Sequence, residues 1–436
     1  MPRYFYLISI FSLLLGTVSF FAPGFIFCLI LTFFLFWVIY SKTSVEERGY
    51  IFKILAAAFI LRLAFFVLLN YYLFHNGIFD VFGDAVDNLL RGKYVAAYLK
   101  NEITELPILL TLGTYNAHLL TIFNGLFFAL FGYDIISIKY LNIIFGLVLS
   151  WLVYDTARSI FDVKVAKIAF AIVLFWPTLF LWSLVDLKEI HCVLMVTAII
   201  WSVDKLICNK AAGMRILFTF LVLLFSLFLV MLRIRLYPIM AAYFILLLLT
   251  LGLRKSLSGP AHRNLKIAMF IFLAGILLLA FRVKLFQSAD VLYRSAIAYT
   301  RGFLTSGGHN YDLLHGAADA EVFTIRFFIY FFSGSAFHFL MEPLLWNIKS
   351  LKMAVFSPVM IIWYFLLFFT VCGLFTLVKD GKAGRSAPLL IFAFVYIVSL
   401  SMSVPNIGTL VRSRDMILPI VAIIGSYGLR KIIKEK

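Results

Sequence analysis

Cysteine is scarce in this chain. It has four in 436 residues, and none sits at a spacing that suits a disulfide framework or a metal site. Cys28, Cys192 and Cys372 fall inside apolar runs, and Cys208 falls at the end of one. His75, His118, His309, His315 and His338 are scattered without ligand spacing, so no metal site is expected from them. Charge is also sparse, at 14% of residues. There is no run of short alternating strands, which argues against a membrane barrel. No glycine-rich loop of the phosphate-cradling type is present, which argues against a nucleotide held in a soluble domain. Internal repeats and low-complexity linkers are missing too, and nucleic acid is not an expected partner.

Apolar sequence fills the space. The chain is 64% hydrophobic, with a mean hydropathy of +1.03. A soluble protein of this length cannot hide so much apolar surface. Many of its apolar runs approach the roughly 20 residues that cross a bilayer as a helix. The expected fold is all-α and polytopic, about 12 transmembrane helices in one membrane domain spanning 1–436. The spans fall near 4–21, 23–41, 51–73, 136–154, 166–182, 189–206, 215–232, 236–253, 266–281, 356–378, 387–404 and 415–430. The run Tyr4 to Phe21 lacks a clear small-x-small cleavage site, and Ala22-Pro-Gly leads straight into the next run. Residues 1–41 therefore read as a retained N-terminal helical hairpin.

Net charge is +17, and its distribution sets an orientation. With the N-terminus in the cytoplasm, the inner segments carry Arg3, Lys42, Arg48, Lys53, Arg158, Lys164, Lys167, Lys205, Lys210, Arg215, Arg254, Lys255, Arg263, Lys266, Lys379, Lys382, Arg385 and the basic tail from Arg430. Lys and Arg heavily outnumber acids there, while the outer segments are nearly balanced, as the positive-inside rule requires. The apolar segments 115–131 and 323–341 are kept on the outer face, because letting both cross would turn three basic inner loops outward. Two long outer loops result, 74–135 and 282–355.

Three outer clusters are candidates for chemistry. The first is Asp80-Val-Phe-Gly83-Asp84-Ala-Val-Asp87-Asn88. On a helix Asp80, Asp84 and Asp87 share a face, and like charges so close raise one another's pKa. A carboxylate tuned in this way can take a proton from an attacking hydroxyl, and the cluster also suits a divalent cation. The plain alternative is a solvated loop in which Asp80 or Asp84 caps the next helix. The second cluster is the arginine pairs Arg233/Arg235 and Arg412/Arg414, with Arg282, Lys284, Arg294 and Arg301 at the start of the second long loop. The planar fork of Arg suits phosphate oxygens; the alternative is snorkelling to ordinary phospholipid phosphates. The third is Trp182-Ser-Leu-Val-Asp186-Leu-Lys188-Glu189-Ile-His191. It reads either as a functional group near the membrane interior or as an ion-paired helix start. Arg62, in mid-span, calls for an interhelix partner.

Several of these stretches resemble the GT-C superfamily of integral membrane glycosyltransferases, closest to bacterial relatives of the protein O-mannosyltransferases and of the enzyme that adds aminoarabinose to lipid A. The likeness runs through Gly83-Asp84-Ala-Val-Asp87-Asn88, the segment Tyr115 to Phe131-Gly132, and Asp155-Thr-Ala-Arg158-Ser-Ile-Phe161-Asp. It continues through Trp176-Pro177 with the Trp182 to Glu189 cluster, and through Asn406-Ile-Gly408-Thr-Leu-Val-Arg412 with the Pro419 helix. The resemblance implies a sugar donor carried on a polyprenyl phosphate, chemistry on the outer face, and a catalytic base at the first-loop aspartate. That position matches Asp84, with Asp80 as the second choice, because Ala85 and Asn88 stand where the family pattern has Glu and Tyr. Arg233, Arg235, Arg412, Arg414, Lys188, Glu189 and Asp87 are the expected substrate-binding residues. A glycan, lipid or protein of the bacterial envelope is the expected acceptor. A polymerase of lipid-diphosphate repeat units and a flippase of lipid-linked sugars are the competing functions.

Overall fold

The computed structural model describes residues 24–105, 118–256, 325–346, 348, 351–401 and 407–434. The expected spans 4–21 and 266–281, and Arg282, Lys284, Arg294, Arg301, His309 and His315, lie outside them. All regular structure among the described residues is helical. The chain divides into two compact units, residues 1–236 and 237–436.

The first unit holds α1 (Gly24–Lys42), α2 (Val45–His75), α3 (Gly83–Leu99), α4 (His118–Phe131), α5 (Ile135–Ile160), α6 (Val163–Leu174), α7 (Pro177–Trp182), α8 (Lys188–Cys208), α9 (Ala212–Leu232) and a single 3₁₀ turn (Ile234–Leu236). The second holds α10 (Tyr237–Ser256), α11 (Ile325–Met341), α12 (Leu351–Lys379), α13 (Ala387–Ser401), α14 (Ile407–Arg414) and α15 (Leu418–Lys434). Six helices among the described residues are long and apolar enough to cross a bilayer, or seven if the bent pair α14–α15 makes one span. The protein is therefore multi-pass.

The expected span 166–182 is not one helix. It breaks into α6 and α7 at Trp176-Pro177, where Trp176 is extended (φ −63°, ψ 122°) and Pro177 opens the second piece. Proline has no N–H to continue the ladder and pushes its predecessor out of the helical region. The segments kept outside the span count are helices of 14 and 17 residues, α4 and α11. At 1.5 Å per residue both fall short of a hydrocarbon core about 30 Å thick.

In the first unit, α5 and α8 are the most buried spans. The outer helices meet them along narrow stripes. On α1 the stripe is Gly24, Cys28, Thr32, Leu35 and Ile39, spaced three or four residues apart as one helix face demands. Thr32 and Tyr140 bond through their hydroxyls at 3.1 Å. Asp134, the N-cap of α5, also accepts from the Gly24 N–H at 2.9 Å. On α2 the stripe is Glu47, Ile51, Leu55, Ala58, Arg62, Phe66 and Leu73; Phe65, Val67, Leu68, Tyr71 and Tyr72 are exposed, as lipid-facing residues should be. Small residues bring α3 against α4: a Cβ added at Gly92 would lie 2.7 Å from Asn124 Cβ.

The two ends of this unit differ in chemistry. At one end Arg158 pairs with Glu47 at 3.3 Å, Lys205 with Asp155 at 2.6 Å, and Lys167 lies over the Tyr50 ring. These are residues that charge counting placed together on the inner side. The other end carries the acidic loop before α3 and the start of α8.

The second unit packs α12 on α15 through glycine. A Cβ at Gly373 would lie 2.3 Å from the Ile424 carbonyl, and one at Gly428 only 2.1 Å from that of Phe369, so the two backbones touch, as in small-residue membrane interfaces.

Candidate functional site

The loop 76–82 leads into α3. The helix begins at Gly83, so Asp80 lies outside it and does not share a helix face with Asp84 and Asp87. Neither Asp80 nor Asp84 is the cap: Phe82 holds that position without a side-chain hydrogen bond. The reason is an ion pair elsewhere. Lys139 on α5, almost fully buried, reaches Asp80 Oδ2 at 3.0 Å and donates to the Phe79 carbonyl at 2.7 Å. Asp80 Oδ1 accepts from the Val81 N–H at 2.7 Å. With its carboxylate held there, Asp80 is 3% exposed.

Asp84 behaves differently. It sits in the first turn of α3 and is exposed, where the helix dipole favours an anion. Asp87, one turn on, is exposed as well and meets Arg91 at 3.4 Å.

The second arm of the site is the turn 183–187 and the start of α8. Asp186 is fully buried. Its Oδ2 accepts from Asn124 Nδ2 at 2.6 Å, its carbonyl from Asn88 at 3.3 Å, and its N–H points at Asp80 Oδ2 at 3.4 Å. Asn142 holds the neighbouring Val185 carbonyl at 2.8 Å. The turn is thus tied to α3, α4, α5 and the acidic loop at once. Two residues later, half-buried Lys188 lies within electrostatic reach of Arg233, Glu189 and Asp84. Glu189 Oε1 and Arg233 Nη2 are 3.4 Å apart. Asp84, Lys188, Glu189 and Arg233, drawn from three separate stretches of sequence, therefore meet at one end of the first unit.

Burial pushes the Asp186 carboxyl up to about 7; the Asn124 hydrogen bond and Lys139 oppose the shift and Asp80 adds to it. The sign follows from linkage. A carboxyl whose folded pKa exceeds its unfolded value binds its proton more tightly when folded, so its contribution is complete below the unfolded pKa and is lost as pH rises toward 7. Asp186→Asn keeps an acceptor for Asn124 and removes the titration. Its unfolding temperature is expected to vary less between pH 4 and 7 than that of the wild type, and to be higher at pH 8. Thermal unfolding of the detergent-solubilised protein at several pH values checks this.

The remaining sequence candidates are placed as follows. Arg235 lies in the 3₁₀ turn after α9. In the second unit Arg412 is half-buried and Arg414 buried. Arg414 donates to the carbonyls of Glu342 at 2.7 Å and Leu340 at 3.3 Å, and its guanidinium lies 4.9 Å from the Trp363 ring centre. Its Nη1 serves these carbonyls and its Nη2 the Met360 sulfur, at 3.0 Å. Among the described residues no group of three or more His, Cys, Asp or Glu is placed to hold a metal ion.

Sequence reasoning passed over Lys139 and Asn124. Lys139 had a visible signal, an ammonium four residues into an apolar run, which near a membrane marks a functional or paired group. Asn124 had none beyond its place in an apolar helix.

Residues 119–206, which run from α4 nearly to the end of α8, match the family described as dolichyl-phosphate-mannose-protein mannosyltransferase. The match includes Asp186, Lys188 and Glu189; Asp84 and Arg233 lie outside it. No curated protein matches the chain by sequence. Among solved structures the chain is similar to the oligosaccharyltransferase AglB of Archaeoglobus fulgidus in complex with an inhibitory peptide and a dolichol-phosphate, at 12% identity and a TM-score of 0.49, covering 90% of this chain and 51% of that one. The apo form of the Archaeoglobus fulgidus oligosaccharyltransferase gives 10% identity and the same TM-score, with 90% and 52% covered. The chain spans about half the length of both.

Proposed function

We propose that this protein is a glycosyltransferase of the GT-C superfamily that moves a sugar from a polyprenyl-phosphate-linked donor to an acceptor in the bacterial envelope, on the outer face of the cytoplasmic membrane; the family match at 119–206 supports this reading. The observation that carries the reading is the meeting of exposed Asp84 with Lys188, Glu189 and Arg233 at the end of the first unit opposite the Arg158 and Lys205 pairs. Both termini then lie in the cytoplasm. An exposed carboxylate beside two cations suits a reaction that deprotonates a hydroxyl and releases a phosphate. Asp84 takes the proton of the acceptor hydroxyl. Lys188 and Arg233 hold the leaving lipid phosphate, whose charge grows as the sugar departs, and Glu189 orients Arg233. Asp87 and Arg235 border this group in sequence and are assigned to substrate contact. In the second unit Arg412 stays assigned to substrate contact, and Arg414 holds the Glu342 and Leu340 carbonyls. Asp80 is assigned to holding the loop.

Lys188→Gln is expected to raise the KM for the lipid-linked donor about tenfold, the weight of one charge-assisted contact of roughly 1.5 kcal/mol. The measurement is transfer from a panel of polyprenyl-phosphate sugars to envelope acceptors by the protein in nanodiscs, read by mass spectrometry. Release of polyprenyl phosphate with growth of the acceptor by one sugar supports the reading. Growth by many repeat units points to the polymerase instead, and lipid-linked sugar crossing the bilayer without any change in glycan mass points to a flippase.

A further inference from the structure

The buried cation of α2 is not used by the reaction above. Arg62 lies in mid-span on the stripe that α2 turns inward and is fully buried. No carboxylate is among its hydrogen-bond partners. Its Nη2 donates to the Leu174 carbonyl at 2.7 Å, its Nε donates to Ser183 Oγ at 3.1 Å, and its guanidinium lies 4.9 Å from the Phe180 ring centre. Ser183 Oγ in turn donates to the Phe180 carbonyl at 2.6 Å. The three contacts fall on the last turn of α6, on α7, and on the first residue of the turn 183–187.

The geometry has a physical cause. In an unbroken helix the Leu174 carbonyl would accept from the N–H of residue 178. The break at Trp176-Pro177 ends that ladder inside the protein, and a carbonyl left unpaired at such depth is costly. Arg62 supplies the missing donor. It has room to do so because α5 carries Gly146 at the crossing; a Cβ there would lie 3.2 Å from Ser183 Cβ and 3.7 Å from Arg62 Nε. A mid-membrane arginine is costly to insert; here its Nη2 and Nε are engaged at the break, while Nη1 has no hydrogen-bond partner among the described residues.

We propose that Arg62 is a positioning residue: by closing the α6–α7 break and gripping Ser183, it fixes the turn that presents Asp186, Lys188 and Glu189 to the site. The catalytic part of this proposal rests on the glycosyltransferase reading; the structural part does not. The ties from Asn88, Asn124, Asn142 and Asp80 all fall on Val185 and Asp186; Arg62 holds the first residue of the turn, Ser183, which follows a helix of only six residues.

The test uses the full chain in nanodiscs and the variants Arg62→Met, Arg62→Lys and Ser183→Ala. Deuterium uptake is followed peptide by peptide, and transfer is measured in parallel. In Arg62→Met, uptake is expected to rise several-fold in peptides covering 175–190 and to stay unchanged around 150–165 at the other end of α5. Its kcat is expected to fall roughly 10–100-fold, as small displacements of reacting groups do, with KM for the donor changed less. Arg62→Lys, which keeps one donor, restores part of both, and Ser183→Ala gives a smaller rise in the same peptides. Should Arg62→Met fail to fold, the lysine and alanine variants carry the comparison. Unchanged uptake at 175–190, or an even rise across all helices, would overturn the proposal. A wild-type protein that transfers no sugar overturns the reading of function, while the exchange pattern still decides the role of Arg62.

Discussion

Asp84→Asn is expected to lower sugar transfer by roughly 10²–10⁴-fold, the span that a positioned general base contributes, while leaving expression and unfolding temperature near those of the wild type. The separation follows from where the side chain sits. Asp84 is exposed in the first turn of α3, so replacing it opens no cavity in the core, and exposed substitutions of this kind rarely shift stability much. Asparagine keeps the size and an acceptor oxygen but cannot take a proton. The comparison with Asp87→Asn is informative, because Asp87 is also exposed and its partner is Arg91 one turn on; that variant is expected to lose far less activity. Initial rates with a polyprenyl-phosphate sugar, beside melting curves of both variants, make the measurement. Full activity in Asp84→Asn would remove the base from the proposed mechanism.

Much of this was legible in the sequence. The helical, multi-pass fold followed from hydropathy, and the GT-C resemblance is borne out by the family match at 119–206. Charge counting grouped Lys167, Arg158 and Lys205, and the structure brings them to one end of the first unit. The convergence of Asp84, Lys188, Glu189 and Arg233 was foreshadowed residue by residue, because ionisable groups are rare in an apolar chain and each stands out. What the sequence concealed is pairing at long range. Asp80 and Asp84 look alike in one dimension; only Lys139, 59 positions further along the chain than Asp80, makes one a buried anchor and leaves the other exposed. Arg414 resembles a phosphate ligand in sequence, yet its guanidinium goes to the Glu342 and Leu340 carbonyls. The broken span at Trp176-Pro177 was a matter of weighting: a hydropathy window sums over Pro177, whereas the backbone cannot.

The Asp80–Lys139 pair gives the second large expected effect, this time on stability. Its two side chains are 0% and 1% exposed, so Lys139→Met leaves a carboxylate buried with no counter-charge. Breaking a buried pair from one side costs about 3–5 kcal/mol, enough to lower the unfolding temperature of the solubilised protein by many degrees or to reduce its yield. The same change also frees the Phe79 carbonyl that Lys139 holds at 2.7 Å, loosening the loop that leads into Asp84. Asp80→Asn in the Lys139→Met background removes the stranded charge, and the double variant is expected to recover a large part of the lost stability, since a buried ion pair contributes less net than either half costs when orphaned. A double variant no more stable than Lys139→Met would show that the pair does not hold the loop through charge. Activity per folded molecule then separates the two aspartates. If Asp80 is an anchor and Asp84 the base, the double variant keeps far more transfer per folded molecule than Asp84→Asn does, because a neutral Asp80 site still leaves a carboxylate exposed at the head of α3 beside Lys188 and Arg233.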